Sequence, residues 1–200
     1  MEAFVIVVSK KIENLSIEET VKEISESKYG PHYMLIYPDL EIFREFYTYY
    51  FQRQVNLKNE VVLFNPFYET VGYVKQILSM GHIDVDNYRY DSDISLIIAD
   101  SLDQYFGKVP MAVFKDRLVK VATKKRKDGV SIMSDMGPYF YKMLHQELVG
   151  HELSLPQEFD TPLKHLCIYN QLDFDNALTD KQKQELIDHH GKSIKLIETI

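Results

Sequence analysis

The residues of this sequence that could do chemistry stand at the ends of short apolar runs: Tyr37-Pro38-Asp39, Asn65-Pro66-Phe67-Tyr68, Asp100-Ser101, Ser134-Asp135-Met136 and Tyr169-Asn170-Gln171. The run from Ile94 to Asp100 is hydrophobic and then acidic, the pattern of a strand that holds Mg²⁺ beside a nucleotide, although any buried strand ending in Asp matches it. A phosphate-binding loop also needs a glycine-rich turn and a Lys, so that backbone N–H groups and an ammonium surround the phosphates. The first turn available, Tyr37-Pro38-Asp39, has neither; Pro38 removes an N–H, and Asp39 would repel an anion. ATP hydrolysis is therefore not expected. Cys167 lies inside an apolar run and reads as a small hydrophobe with a raised pKa. Ser101 is not flanked by the Gly-x-Ser-x-Gly elbow that would display a nucleophile, so no catalytic residue is expected.

The same test applied to metals finds no His-Glu-x-x-His and no cysteine pair. His145 and His151 fall on different faces of a helix, and His189-His190 diverge as neighbours do. The expectation is no metal and no cofactor, with the His pair capping a helix end before Gly191. His32, Asp135 and His190 could meet only through the tertiary fold. The basic run Lys120, Lys124, Lys125, Arg126, Lys127 reads as a solvated helix end. No aromatic interleaves it, as a platform for single-stranded nucleic acid would require.

Composition narrows the classes. At 45% hydrophobic and 26% charged, the 200 residues are too apolar for disorder. A net charge of −7 argues against general affinity for nucleic acid or anionic membrane. One cysteine excludes an internal disulfide framework and fits a reducing cytoplasm. The apolar run at 3–8 is too short to span a membrane and has the wrong flanks for a signal peptide, so it is expected to be a strand.

The elements that must position these residues alternate in type. Ser16-Ile-Glu-Glu19 is a capping box that predicts a helix over 17–27, ended by Gly30-Pro31, which divides a strand–helix extension (1–29) from the main body (30–200). Apolar runs at 32–37, 60–65, 93–100, 130–135 and 165–170 predict buried strands. Helices are expected after Pro38, after Pro66, across 111–128, over 139–149, and from the capping box Thr179-Asp-Lys-Gln182 to Gly191. The helix over 38–55 carries Leu40, Phe43, Tyr47, Tyr50, Phe51 and Gln54 on one face, with Phe46 flanking and Tyr49 opposite. That surplus predicts an aromatic groove or partner surface. Strands apolar throughout, separated by helices, imply a mostly parallel sheet covered on both faces: an α/β three-layer sandwich.

In such sheets the ligand crevice lies beyond the carboxyl ends of the strands. Tyr37, Phe67, Tyr68 and Met136 are expected as apolar walls, and His32, Asp100, Ser101, Asp135 and Tyr169 as polar contacts. With no Lys or Arg in that set, phosphates and carboxylates are disfavoured.

Several segments in order resemble the MEDS domain, the methanogen/methylotroph DcmR sensory domain. They are His32 followed by Tyr37, Glu60 opening a strand, Asp100-Ser101, Ser134-Asp135-Met136, His151-Glu152-Leu153, Cys167-Ile-Tyr169 with Phe174, and His190-Gly191. Asn59, His151 and Gly191 depart from the family's Gly, Tyr and Pro. The resemblance implies a RecA/KaiC-like core without its phosphate loop, and a cytoplasmic, non-catalytic sensor of a small, mostly uncharged hydrocarbon derivative. Its output would pass through a protein partner or self-association. The alternatives are a degenerate nucleotide-binding protein or weak ATPase, with Asp100 on Mg²⁺ and Glu60 or Glu152 as base, and an oligomerising scaffold with a vestigial pocket.

Overall fold

The computed structural model describes residues 10–57, 59–83, 85, 95–108 and 111–198. The strand expected at 3–8 and the start of the 93–100 run lie outside them. The strands are β1 (Glu13–Leu15), β2 (His32–Tyr37), β3 (Glu60–Asn65), β4 (Leu96–Ile98), β5 (Gly129–Asp135), β6 (Leu163–Asn170) and β7 (Lys192–Leu196). They form one sheet in the order β1-β7-β2-β6-β5-β3-β4, every pairing parallel. β2, β3 and β5 are buried at every residue, as strands covered on both faces must be. The molecule is the α/β three-layer sandwich that the alternating pattern implies.

The helices are α1 (Ile17–Glu26), α2 (Leu40–Leu57), α3 (Val71–Met80), α4 (Ser101–Phe106), α5 (Met111–Lys124), α6 (Gly137–Tyr141), α7 (His145–Ser154), α8 (Gln171–Ala177) and α9 (Asp180–His189). Strand alternation sorts the core into two faces. Tyr33, Leu35 and Tyr37 of β2 pack with Val21 and Ile24 of α1, the aromatics of α2, and Val74 and Leu78 of α3. Met34 and Ile36 pack on the other face with Cys167, Tyr169 and residues of α6 to α9, while Leu118 and Ala122 of α5 cover Val61, Leu63, Val130 and Ile132. No helix among the described residues is long and apolar enough to cross a membrane.

Both capping boxes form, Ser16 with Glu19 and Thr179 with Gln182. The structure departs from the expectations at several points, and helices α4 and α8 are additions to them. The helix expected over 139–149 is two helices, α6 and α7, separated where Met143 takes a left-handed φ of 56°. β1 and β7 do not stand out in sequence, because each is short and partly charged and exists by pairing with a neighbour. The aromatic surplus on α2 is largely covered, because α1 and α3 flank it: Phe46 is fully buried, while Tyr49 is half-buried and lines an open groove with Ile77 and Met80 of α3. Tyr37 stacks on Phe43 at 4.3 Å between centroids, and Phe51 and Tyr47 close on Phe64 at 5.3 Å, geometries that add to area burial.

One buried charge pair crosses the α1–α3 face. Lys164 Nζ lies 3.6 Å from Glu60 Oε1 and donates to the Ile24 carbonyl at 3.0 Å, while Ser131 Oγ donates to Glu60 Oε2 at 2.6 Å. Each ion has its partner, so removal of one strands the other. Lys164→Met is expected to lower stability by about 3–5 kcal/mol, and Glu60→Leu in the same chain to recover most of it, read by urea denaturation.

Candidate functional site

β2 opens on His32, and in the parallel register His32 stands beside His165 of β6, with Met34 beside Cys167. His165 and Cys167 are two apart, so both project on His32's face; the His32 and His165 rings stack at 5.5 Å. α7 supplies the third group. It is buried through Leu148, Val149 and Glu152, a one-sided spacing that carries a carboxylate into the interior with the apolar residues. The fourth is His190, the C-cap of α9. Gly191 lets the chain turn directly against β2: its N–H donates to the His32 carbonyl at 2.8 Å, and a Cβ there would sit 3.3 Å from that oxygen.

Glu152 Oε2 consequently lies 3.3 Å from His32 Nε2 and 3.2 Å from His190 Nε2, and Cys167 Sγ lies 3.2 Å from His32 Nε2. All four side chains are fully buried, and one donor atom from each falls within 4.8 Å of the others. Burial alone would raise the Glu152 carboxyl, but the imidazoles of His190 and His32 outweigh it and hold the group well below the usual carboxylate range. Burial pushes His32 toward its neutral form, with Glu152 opposing. Burial and the Glu152 charge push the Cys167 thiol well up.

The arrangement is not a proton relay. A Cys–His–Glu triad places the carboxylate on one imidazole nitrogen and the thiol on the other. Here Glu152 and Cys167 approach the same nitrogen, His32 Nε2, with no exposed face for substrate. Two imidazoles, a thiolate and a carboxylate are instead a donor set able to surround a cation.

No protein-family model matches the chain, and no curated protein matches it.

The residues expected to form one crevice are divided by the sheet. His32 opens β2 and Tyr37 closes it, about 16 Å away along the strand and on the opposite face. His32 is therefore corrected from the carboxyl-edge set to the cluster at the other end. Met136 and Tyr169 are buried on the α6–α9 face, Tyr169 against Phe140, Phe174 and His190. Asp100 is exposed and caps α4 through the Asp103 N–H at 3.0 Å; Ser101 Oγ donates to the Asp135 carbonyl at 2.7 Å. The remaining residues do meet. Asp135 Oδ1 accepts from the Gly137 N–H at 2.8 Å, and the Phe67 and Tyr68 rings lie so close over Gly137 that a Cβ there would collide with them. The Tyr68 hydroxyl donates to Asp173. The Tyr37 hydroxyl and Asp135 Oδ2 are near enough to influence each other's ionisation, yet neither has a partner in hydrogen-bond geometry.

Glu152, Cys167 and His190 were not in the expected site, and their sequence signal was thin. Nothing in the spacing brings 32, 152, 167 and 190 together, although Glu152 is the one acid at a core position of its helix.

Asp135 yields a pH prediction. Its burial raises its pKa from 3.8 to about 7, against the Gly137 N–H and Tyr37, which favour the charged form. The folded protein holds this proton more tightly than the unfolded chain, so the group costs stability as pH rises from about 4 to about 7, by a few kcal/mol at most. In Asp135→Asn that cost is absent. The stability of the variant relative to wild type should climb across this window and level above it; parallel urea-denaturation curves from pH 4.5 to 8 would refute the assignment.

Proposed function

We propose that the protein is a non-catalytic sensor that binds a small, mostly uncharged organic molecule at the carboxyl edge of the sheet, in the manner the MEDS-like, RecA/KaiC-related resemblance implies. One observation carries this reading. The Asp39 carboxylate Oδ1 accepts the Glu41 and Ile42 N–H groups at 2.9 and 3.0 Å, so the start of α2, where a nucleotide-binding relative of this frame would hold phosphate, already carries a fixed negative charge. Neighbouring helix starts are closed likewise, α3 by Thr70, α4 by Asp100 and α8 by Asn170. Beside them the Tyr37 hydroxyl and Asp135 Oδ2 are buried and unpaired, with the Phe67 and Tyr68 rings nearby over Gly137. A few unsatisfied polar groups next to aromatic walls suit a small neutral molecule with a hydroxyl or carbonyl.

Four residues quoted for the MEDS resemblance, His32, Glu152, Cys167 and His190, meet in one buried cluster, which supports reading them as one unit. The sensor is cytoplasmic and passes its state to a protein partner or through self-association.

The test is a binding comparison. Mg-ATP should give no heat of binding up to millimolar concentration. In a panel of short alcohols, ketones, aldehydes and haloalkanes, at least one member should raise the melting temperature, and Tyr37→Phe should abolish that rise. Micromolar binding of Mg-ATP, or a full response in Tyr37→Phe, would overturn the proposal.

A further inference from the structure

We infer that His32, Glu152, Cys167 and His190 form a buried tetrahedral site for one divalent metal ion of the zinc type. Metal–ligand bonds of about 2.0–2.3 Å in a tetrahedron set the donors about 3.3–3.7 Å apart. Three of the donor separations here are 3.2, 3.2 and 3.3 Å, and all four donors lie within 4.8 Å of one another.

The orientation of His190 is the second, independent observation. Its Nδ1 lies 2.7 Å from the Leu186 carbonyl, to which it can only donate. That donation turns Nε2 toward Glu152 Oε2, 3.2 Å away. Both atoms, with Glu152 Oε1, are buried and without a partner in hydrogen-bond geometry, and a cation held between the side chains would satisfy them. The carbonyl that fixes the ring is the kind of outer partner that metal-binding histidines use. The contact of both Glu152 and Cys167 with the single nitrogen His32 Nε2 is explained in the same way: three donors converge on one point rather than pass a proton along a line.

Charge and softness select the ion. A divalent cation with one thiolate, one carboxylate and two neutral imidazoles sums to zero, the condition under which four charged or polar groups can be held in a dry interior. On binding, the Cys167 thiol gives its proton to solvent and the S–H bond is replaced by S–metal; nothing is oxidised or reduced. Thiolate and imidazole exclude Mg²⁺ and Ca²⁺, which take oxygen ligands. With four protein donors and full burial, no coordination position is open to substrate, so the ion is structural. It joins β2, β6, α7 and the α9–β7 turn. Its binding free energy adds to folding, since the unfolded chain does not hold these residues together.

The experiment uses the full chain, unfolded in guanidine with a chelator, desalted, and refolded under reducing conditions with Zn²⁺, Co²⁺, Mg²⁺ or no metal. One Zn²⁺ per chain by elemental mass spectrometry and a higher melting temperature with Zn²⁺ than with Mg²⁺ are expected. The Co²⁺ form should show intense tetrahedral d–d bands and a thiolate-to-cobalt charge-transfer band. Cys167→Ser should remove the charge-transfer band. Glu152→Gln and His190→Gln should each weaken Zn²⁺ binding more than about a hundredfold, beyond the ten- to hundredfold that loss of an outer partner costs. His145→Gln, outside the cluster, should bind as wild type. Should a variant fail to fold, the wild-type stoichiometry and cobalt spectrum decide alone. Substoichiometric zinc in the folded wild type, a cobalt spectrum without the sulfur band, or undiminished binding in folded Cys167→Ser and His190→Gln would overturn the site.

Discussion

A carboxylate with no access to water has to be matched in charge where it stands, and Glu152 is such a group. Its two imidazole neighbours come from the first residue of β2 and from the turn after α9, and the thiol beside them comes from β6. Much of the arrangement at this end of the sheet follows from that need. β7 enters directly after His190, Gly191 passes against the backbone of His32, and α7 packs on α9 with Glu152 turned inward. A buried ion group of this kind adds less to stability than an apolar core of equal volume would, but it penalises every arrangement that leaves one member unmatched.

The polarity of a parallel sheet gives the two edges different chemistry. At the carboxyl edge β1 to β6 each release the chain toward a helix start, where N–H groups need acceptors; Asp39, Thr70, Asp100 and Asn170 meet that need from within the chain. The edge is thereby made acidic, and among the groups left open there are the Tyr37 hydroxyl, one oxygen of Asp135 and Asn65 Oδ1. At the amino edge the chain arrives from helix ends, where cationic and imidazole groups are favoured, and the His cluster and the Lys164–Glu60 pair both lie there. The two pairings occupy opposite faces of β6, because Lys164 and His165 are consecutive residues of a strand.

Much of this fold could be read along the chain. Apolar runs of strand length, capping boxes at Ser16 and Thr179, and proline or glycine at element ends all report local free energies. These act over a few residues and so leave a local trace. α2 shows where such reading stops: its aromatics exceed one face, and whether the excess meets solvent depends on how closely α1 and α3 pack against it. The break at Met143 and the strands β1 and β7 are decided likewise, by neighbours rather than by their own residues.

For the site the division is sharper. The sequence by itself determined the class of sheet, the absence of a phosphate cradle at Pro38-Asp39, and the burial of Cys167, since composition and spacing govern each. Only the tertiary structure decided that His32 belongs with Glu152, Cys167 and His190 rather than with Tyr37. Strand direction puts the ends of a six-residue run about 16 Å apart, and parallel pairing brings distant segments to the same edge. Ligand convergence of that sort has no period along the chain, and is fixed when the sheet closes.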